Sequence, residues 1–553
     1  MLALDRKEVD ALRHRYARCG ANELKEVAHV WASLAARDIR SASALIAYHD
    51  LLLFIRAFPR SEAHIARAEA ELARVAETAA RMSSRNASLR FALANTGIAG
   101  TRSFAYYSID LARWLTRLPG SGHVLDELDG EEDTVRHVLL ATSSGAERDA
   151  IDDARAAVID RLDPRNALRD LVERIDRSSA SPDVRNALWE ACAVNIRSEQ
   201  AAPLLTRTWC RAAIGRTHVF REGFKRAVDV KEWCAKPTDG RSSLSATART
   251  TIVTASRGVL IGHLRETDTA TLCDPAVAEA HDMGHGITVA LLPLPPGRRT
   301  PFDAYVGYVA FANAVPVAYG GAWIFPGKSK VGINVFPAFR GGPSLLLFAA
   351  ILRCYAQRYG IGCFEADNYQ LGHGNADGIR SGAYWFYHRA GFRTVDPTLA
   401  RTAMDERERM DADRAYRTPA PVLRRLASQP MRLILRTEDA PVFELVDLSE
   451  AVFQRLAVKG DRAREAERCV ASVRRALGLR DTASWSLEER QALIDLAPAL
   501  AIIPDLEQWT SLEKRQLVAL IRAKGANTET RYVDLLRRSK RLLHAWAALV
   551  NAG

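Results

Sequence analysis

The apolar positions along the chain change their period twice. In Ser61–Met82 (SEAHIARAEAELARVAETAARM), Ile65, Ala68, Leu72 and Val75 recur close to every 3.6 residues, which predicts a helix behind Ser61 as its N-cap. Asp163–Ile175, with Pro164 in its first turn, and Ser181–Ile196 predict two more, so residues 1–200 read as a helical region. After about residue 245 the texture changes. Thr250–Ala255, Gly258–Leu264, Gly286–Leu294, Tyr305–Ala312, Ala314–Trp323 and Lys330–Pro337 are runs rich in Val, Ile, Tyr and Gly between turn residues, and predict successive strands of a mostly antiparallel sheet. Pro343–Tyr359 predicts an apolar helix, Ile361–Asn368 a strand, and Ser381–Ala390 a short helix ending at Gly391. From about residue 401 the helical period returns. There Ser486 with Glu489, and Thr510 with Glu513, each behind a tryptophan (Trp485, Trp509), predict two capping boxes. The pattern thus predicts an α+β fold in three parts: a helical region 1–200, a mixed, mostly antiparallel sheet with helices over 201–400, and a helical region 401–553.

Composition narrows the class. At about 100–200 residues per domain, 553 residues call for more than one hydrophobic core. Hydrophobic residues at 48% and charged residues at 26% suit an ordinary globular chain and argue against disorder. No run of about 18 uncharged apolar residues offers a membrane span, and Met1–Lys7 lacks the apolar core of a secretory signal. The cysteines at 19, 192, 210, 234, 273, 354, 363 and 469 include no Cys-x-x-Cys pair, which suits free thiols in a reducing compartment and predicts neither disulfides nor a zinc site. The expectation is a cytoplasmic, multi-domain protein with no membrane partner.

Charge points to the middle of the chain. The formal net charge is +11, and residues 201–400 carry 22 Lys+Arg against 14 Asp+Glu. Much of that excess lies in Arg207, Arg211, Arg216, Arg221, Lys225, Arg226, Lys231, Lys236 and Arg241. Such a run is either a solvated face or an attractor for a phosphate-bearing ligand, a tRNA or an acidic partner. Zinc-finger and RNP-type signatures are absent, so a nucleic acid is not indicated by motif.

Candidate chemistry concentrates in Lys330–Phe392: KVGINVFPAFRGGPS, LLLFAAILRCYAQRYG, IGCFEADNYQ and RSGAYWFYHRAGF. This stretch resembles the cofactor-binding half of the GNAT N-acyltransferase fold, in which a strand passes through an Arg/Gln-x-x-Gly-x-Gly/Ala loop into a helix whose N-terminus holds the coenzyme A pyrophosphate. Val335 and Pro337 with Phe339-Arg340-Gly341-Gly342, and Tyr387 with Gly391-Phe392, are the matching positions. The resemblance covers about 65 residues directly. It implies acyl transfer from acetyl-CoA or another acyl-CoA to a small-molecule or peptide amine. Val335 would then pair through its backbone with the acyl arm, and Tyr387 would protonate the departing thiolate.

The loop has a physical reading of its own. Amides of Gly341, Gly342, Ser344 and Leu345 at a helix start form an anion site, and Arg340 can add a charge-assisted contact. The same glycines equally make a tight strand-to-helix turn, with Pro343 opening the helix. Two positions depart from the family pattern: Pro343 has no N–H to donate, and Leu345 stands where a small residue is usual. A different donor, such as an aminoacyl-tRNA, or a non-catalytic scaffold whose helical flanks bind a protein partner, are the alternatives.

Other polar residues are weighed against structural roles. Glu365 and Asp367 alternate along a strand, so one face carries both as candidate bases or as a cation site. Tyr384, Trp385, Phe386 and Tyr387 run together as core aromatics would. Tyr369, His373 and Asn375, in the polar loop Asn368–Asn375, are candidates for substrate binding or simply loop residues. His281 and His285 have i,i+4 spacing, but Gly284 and Gly286 oppose a helix and no third ligand is evident, so no metal is expected.

Overall fold

The computed structural model describes residues 3–552 apart from 119, 121, 152–160, 200–202, 225–226, 239–242 and 458–460. It is a mixed α+β protein, with two sheets among the described residues. β1 (Arg102–Tyr106), β2 (His123–Leu128) and β3 (Val194–Glu199) form a small antiparallel sheet with β3 in the middle. β4 (Glu279–Asp282), β5 (Ile287–Pro293), β6 (Ala304–Ala312), β7 (Val315–Ile324) and β8 (Ser329–Val331) meander antiparallel. β9 (Asn334–Val335) continues β8 along β7. β10 (Cys363–Ala366) then pairs parallel with β8, and β12 (Met431–Ile434) lies between β10 and β11 (Arg393–Thr394).

Helix starts follow the sequence. Ser61 accepts from the His64 amide at the head of Glu62–Arg85, and Asp163 caps Pro164–Arg177. Both expected capping boxes form, Ser486 with Glu489 and Thr510 with Glu513. Where period misleads, the cause is local chemistry. Thr250–Leu264, expected as two strands, is the helix Ala246–Gly262. Ser245 caps it, and the hydroxyls of Thr250, Thr251 and Ser256 bond to carbonyls four residues back. Its Gly258 lets the Pro203–Leu205 turn approach, since a Cβ there would lie 1.8 Å from the Leu204 oxygen. Ser181–Ile196, expected as one helix, stops at Ala191. Ala193 takes φ +44°, and Val194, Ile196 and Ser198 then point inward with period two.

Two hydrophobic cores run across the divisions at 200 and 400. Residues 105–196, joined by Leu205 and Ile261, make the smaller one around Trp189, Leu168 and Leu171. The larger core unites the helices before residue 98, the large sheet and the C-terminal helices. One face of the sheet carries Tyr308, edge-on to Tyr355 of the helix Ser344–Tyr359. On the other face Tyr319 stacks on Phe336, beneath helices Ala42–Ala57 and Ala246–Gly262. The C-terminal helices lock onto the β5–β6 turn: Lys524 Nζ donates to the Asp303 carbonyl (2.6 Å) and meets Glu529 (2.5 Å), while Arg299 donates to Lys524 O and Ala526 O. No helix among the described residues is long and apolar enough to cross a membrane.

Candidate functional site

The parallel pair opens into a fork. β8 and β10 are in register at Ser329–Phe364 and Lys330–Glu365, and beyond this the chain stays with β7 as β9 while β10 leaves it. Phe336 N donates to Val317 O (3.1 Å) and Gly332 N to Gly321 O (3.2 Å). Because alternate amides of a strand face opposite sides, Ile333 and Val335 turn theirs away from β7, towards the side that β10 has vacated.

After the fork comes the anticipated loop. A single 3-10 turn, Pro337–Phe339, leads through Arg340, Gly341, Gly342 and Pro343 into Ser344–Tyr359. Its amides are not equivalent. Gly342 N donates to Phe339 O (3.3 Å) and Ser344 N to Gly342 O (2.8 Å), whereas among the described residues Gly341, Leu345 and Leu346 have no backbone acceptor and no side chain caps the helix. Gly341 has φ +82° and open space around it. Gly342 serves packing instead: a Cβ there would meet the Phe54 ring at 2.9 Å and the Phe58 ring at 3.2 Å.

Gly341 and Leu345 line a cleft of about 530 Å³ whose walls also include Arg13, His14 and Arg18 of the helix Arg6–Arg18, together with Phe224, Phe386 and Arg389, whereas Leu346 is buried. Arg13 donates to the Arg340 carbonyl (2.8 Å) and lies over the Phe54 ring. Burial lowers its pKa, against the pull of Asp50 and Asp10. Arg340 donates from Nε to Val335 O (3.3 Å). Nothing in the linear sequence ties residues 13–18 to residues 340–345; only docking of the first helix does so.

Tyr387 lies at the fork but not in this cleft. Its hydroxyl donates to Gln370 Oε1 (3.3 Å), and the side chain is 2% exposed, packed on Phe348 and Phe392. Burial drives its pKa well up, the Asp367 charge adds to this, and a backbone bond from Ile333 opposes both. Gln370 fills the gap, so that a Cβ on Gly332 would lie 3.1 Å from its amide nitrogen. Tyr384, Trp385 and Phe386 pack as the expected aromatic core run.

The other candidates have local partners. Glu365 is buried between Arg432 (2.9 Å) and Lys328 (3.5 Å), which makes it a strut of the sheet rather than a free base. Asp367 does not continue the strand: it caps Asn368–Leu371 by accepting from the Gln370 amide. Asn375 caps Ala376–Ser381 and donates to the Tyr369 carbonyl (3.2 Å). Tyr369 is 60% exposed and His373 is exposed; neither borders the basic cleft. His281 is in β4, bonded to Glu279, while His285 sits at φ +53° in the following turn beside His218. Among the described residues no group of three His, Cys, Asp or Glu could hold a metal ion.

The basic run is only partly a solvated face. Arg207 is partly buried and pairs with Asp50 (2.5 Å), and Arg211 lies near Glu69 (3.7 Å), whereas Lys225, Arg226 and Arg241 fall outside the described residues. A second cleft, of about 790 Å³, lies between the small sheet's unit and the β5–β6 turn, with Tyr106, Trp189, Asp110, Glu190, Glu266 and Arg298 on its walls. It too joins distant segments that carry no shared signal in the sequence.

Fold and site together define a mixed α+β protein whose forked sheet leads into a cation-rich cleft at a helix start. Comparison with protein-family models, with curated proteins and with solved structures finds no match for this chain.

Proposed function

We propose that the chain is a GNAT-type N-acyltransferase that moves an acyl group from an acyl-CoA to an amine. The observation that carries this reading is the fork between β9 and β10, with the Val335 amide turned towards it and the unpaired amides of Gly341 and Leu345 in the cleft beyond it. The pyrophosphate would lie against those amides and Arg340, and the acyl arm along Val335. Attack by the amine forms the C–N bond and breaks the C–S bond. The Tyr387 hydroxyl gives its proton to the departing thiolate and is reprotonated by the proton that the amine loses, relayed through solvent. Glu365 is committed to Arg432 and Lys328 and takes no part in this proton transfer.

Gln370 is where the acyl arm would pass, so its bond to Tyr387 must break when the thioester binds. That same plug supports a second reading, a non-catalytic scaffold that holds a phosphate-bearing ligand in the outer cleft. Titration calorimetry and thermal unfolding with CoA and acetyl-CoA test both. Under the first, ligand at 100 times its Kd stabilises the protein by about 2.7 kcal/mol. Thiol release from acetyl-CoA in the presence of primary amines then falls on the order of 10²-fold in Tyr387→Phe with unchanged CoA affinity. Binding without turnover for any amine leaves the scaffold, and absence of binding removes the acyl-CoA reading.

A further inference from the structure

The basic cleft contains more positive charge than the loop needs. Arg13, Arg18, Arg340 and Arg389 all border it, and among the described residues none of the four forms an ion pair. The one carboxylate on its wall, Asp10, has its contact with Arg6 (3.6 Å). Four guanidinium groups bordering one concave site, against the single wall carboxylate Asp10, leave an excess of positive field there. The guanidinium fork matches phosphate oxygens in geometry as well as in charge. The cations also stand on two separate walls: Arg340 follows the fork, while Arg13 and Arg18 come from a helix more than three hundred residues earlier in the chain. One pyrophosphate seated on the loop amides leaves the helix wall without a partner.

We infer that the N-terminal helix Arg6–Arg18 is the second wall of the donor site, and that Arg13 and Arg18 bind a phosphate separate from the pyrophosphate, such as the one on the ribose 3′ carbon of coenzyme A. This rests on the acyl-CoA reading and extends it, because it makes a helix outside the sheet region part of ligand recognition. Arg13 is poised for it: its bond to the Arg340 carbonyl ties the two walls together, and its packing on Phe54 orients the guanidinium. Arg18 donates no hydrogen bond among the described residues and is free to turn to the ligand.

The test compares CoA with dephospho-CoA, which lacks only the 3′ phosphate, by titration calorimetry on the full chain. The wild type is expected to prefer CoA by about tenfold, the effect of one or two charge-assisted bonds. Arg18→Ala, which removes no hydrogen bond or ion pair among the described residues, reduces that preference, and R13A/R18A brings it near unity. Arg13→Lys replaces R13A if the latter does not fold. Equal binding of the two ligands by the wild type, or a full preference kept by the variants, overturns the second wall and leaves the loop site standing. If neither ligand binds the wild type, the acyl-CoA reading fails and the second wall with it.

Discussion

His123 shows how burial converts an ordinary side chain into a pH-sensitive one. It is 7% exposed in β2, with Nδ1 2.6 Å from the Ser198 hydroxyl of β3, and loss of hydration lowers its pKa from 6.5 to about 4. The folded state therefore binds this proton less readily than the unfolded chain. Stability from His123 is complete above pH 6.5 and is lost as the pH falls towards 4. At pH 5 the loss amounts to about 2 kcal/mol. Urea denaturation at pH 7 and pH 5 should show His123→Gln losing less stability between those values than the wild type, by about that amount; equal losses would mean that this histidine is not held neutral. Residues of similar appearance also differ in their surroundings. Glu365 and Asp367 look alike two places apart, yet one is locked between two cations and the other caps a helix.

At the scale of elements, the 340–345 turn combines two glycines that do different work. Gly341 needs its left-handed backbone and has space around it, so Gly341→Ala should cost about 1–2 kcal/mol of strain. Gly342 must not carry a Cβ because Phe54 and Phe58 occupy that volume, and Gly342→Ala should cost about 1–3 kcal/mol by overpacking. The trimmed variant Phe54→Leu should then reduce the added penalty of Gly342→Ala while leaving that of Gly341→Ala unchanged, as read in a double-mutant cycle. If both penalties respond alike, the two glycines are not distinguished by packing. Elements also show where period was legible. The caps at Ser61, Asp163, Ser486 and Thr510 are written in three or four adjacent residues and could be read directly. The helix Ala246–Gly262 could not, because β-branched residues and glycine suggest strands unless one knows that it is buried and that its hydroxyls bond to its own backbone. The strand Val194–Glu199 had a visible alternation, hidden by the helical run before it.

For the whole molecule, the decisive contacts cross the chain. Lys524 and Glu529 are both buried, and burial draws the lysine pKa down and the glutamate pKa up. Their 2.5 Å contact, the Asp303 carbonyl and the Tyr532 ring compensate for lost hydration. Lys524→Ala leaves Glu529 buried with only Arg299 near it, at 3.8 Å. Its cost is expected to be about 3–5 kcal/mol, and the paired replacement Lys524→Met with Glu529→Leu to cost clearly less. A pair no better than the single variant, in the same denaturation assay, would mean that the contact does not act as a latch. The sheet itself takes β12 from residues 431–434, where it covers the edge of β10, so a chain cut after residue 400 would expose that edge.

The amino-acid order alone determined where the capped helices at Ser61, Ser486 and Thr510 begin, the meander from β5 to β7, and the loop Arg340–Leu345, because caps, alternation and glycine turns depend on neighbours a few residues apart. Tertiary structure decided which amides of that loop stay free, that Tyr387 is sealed behind Gln370, and that Arg13 and Arg18 stand opposite Arg340. Those outcomes depend on burial and on contacts across hundreds of residues, which no local pattern of side chains encodes.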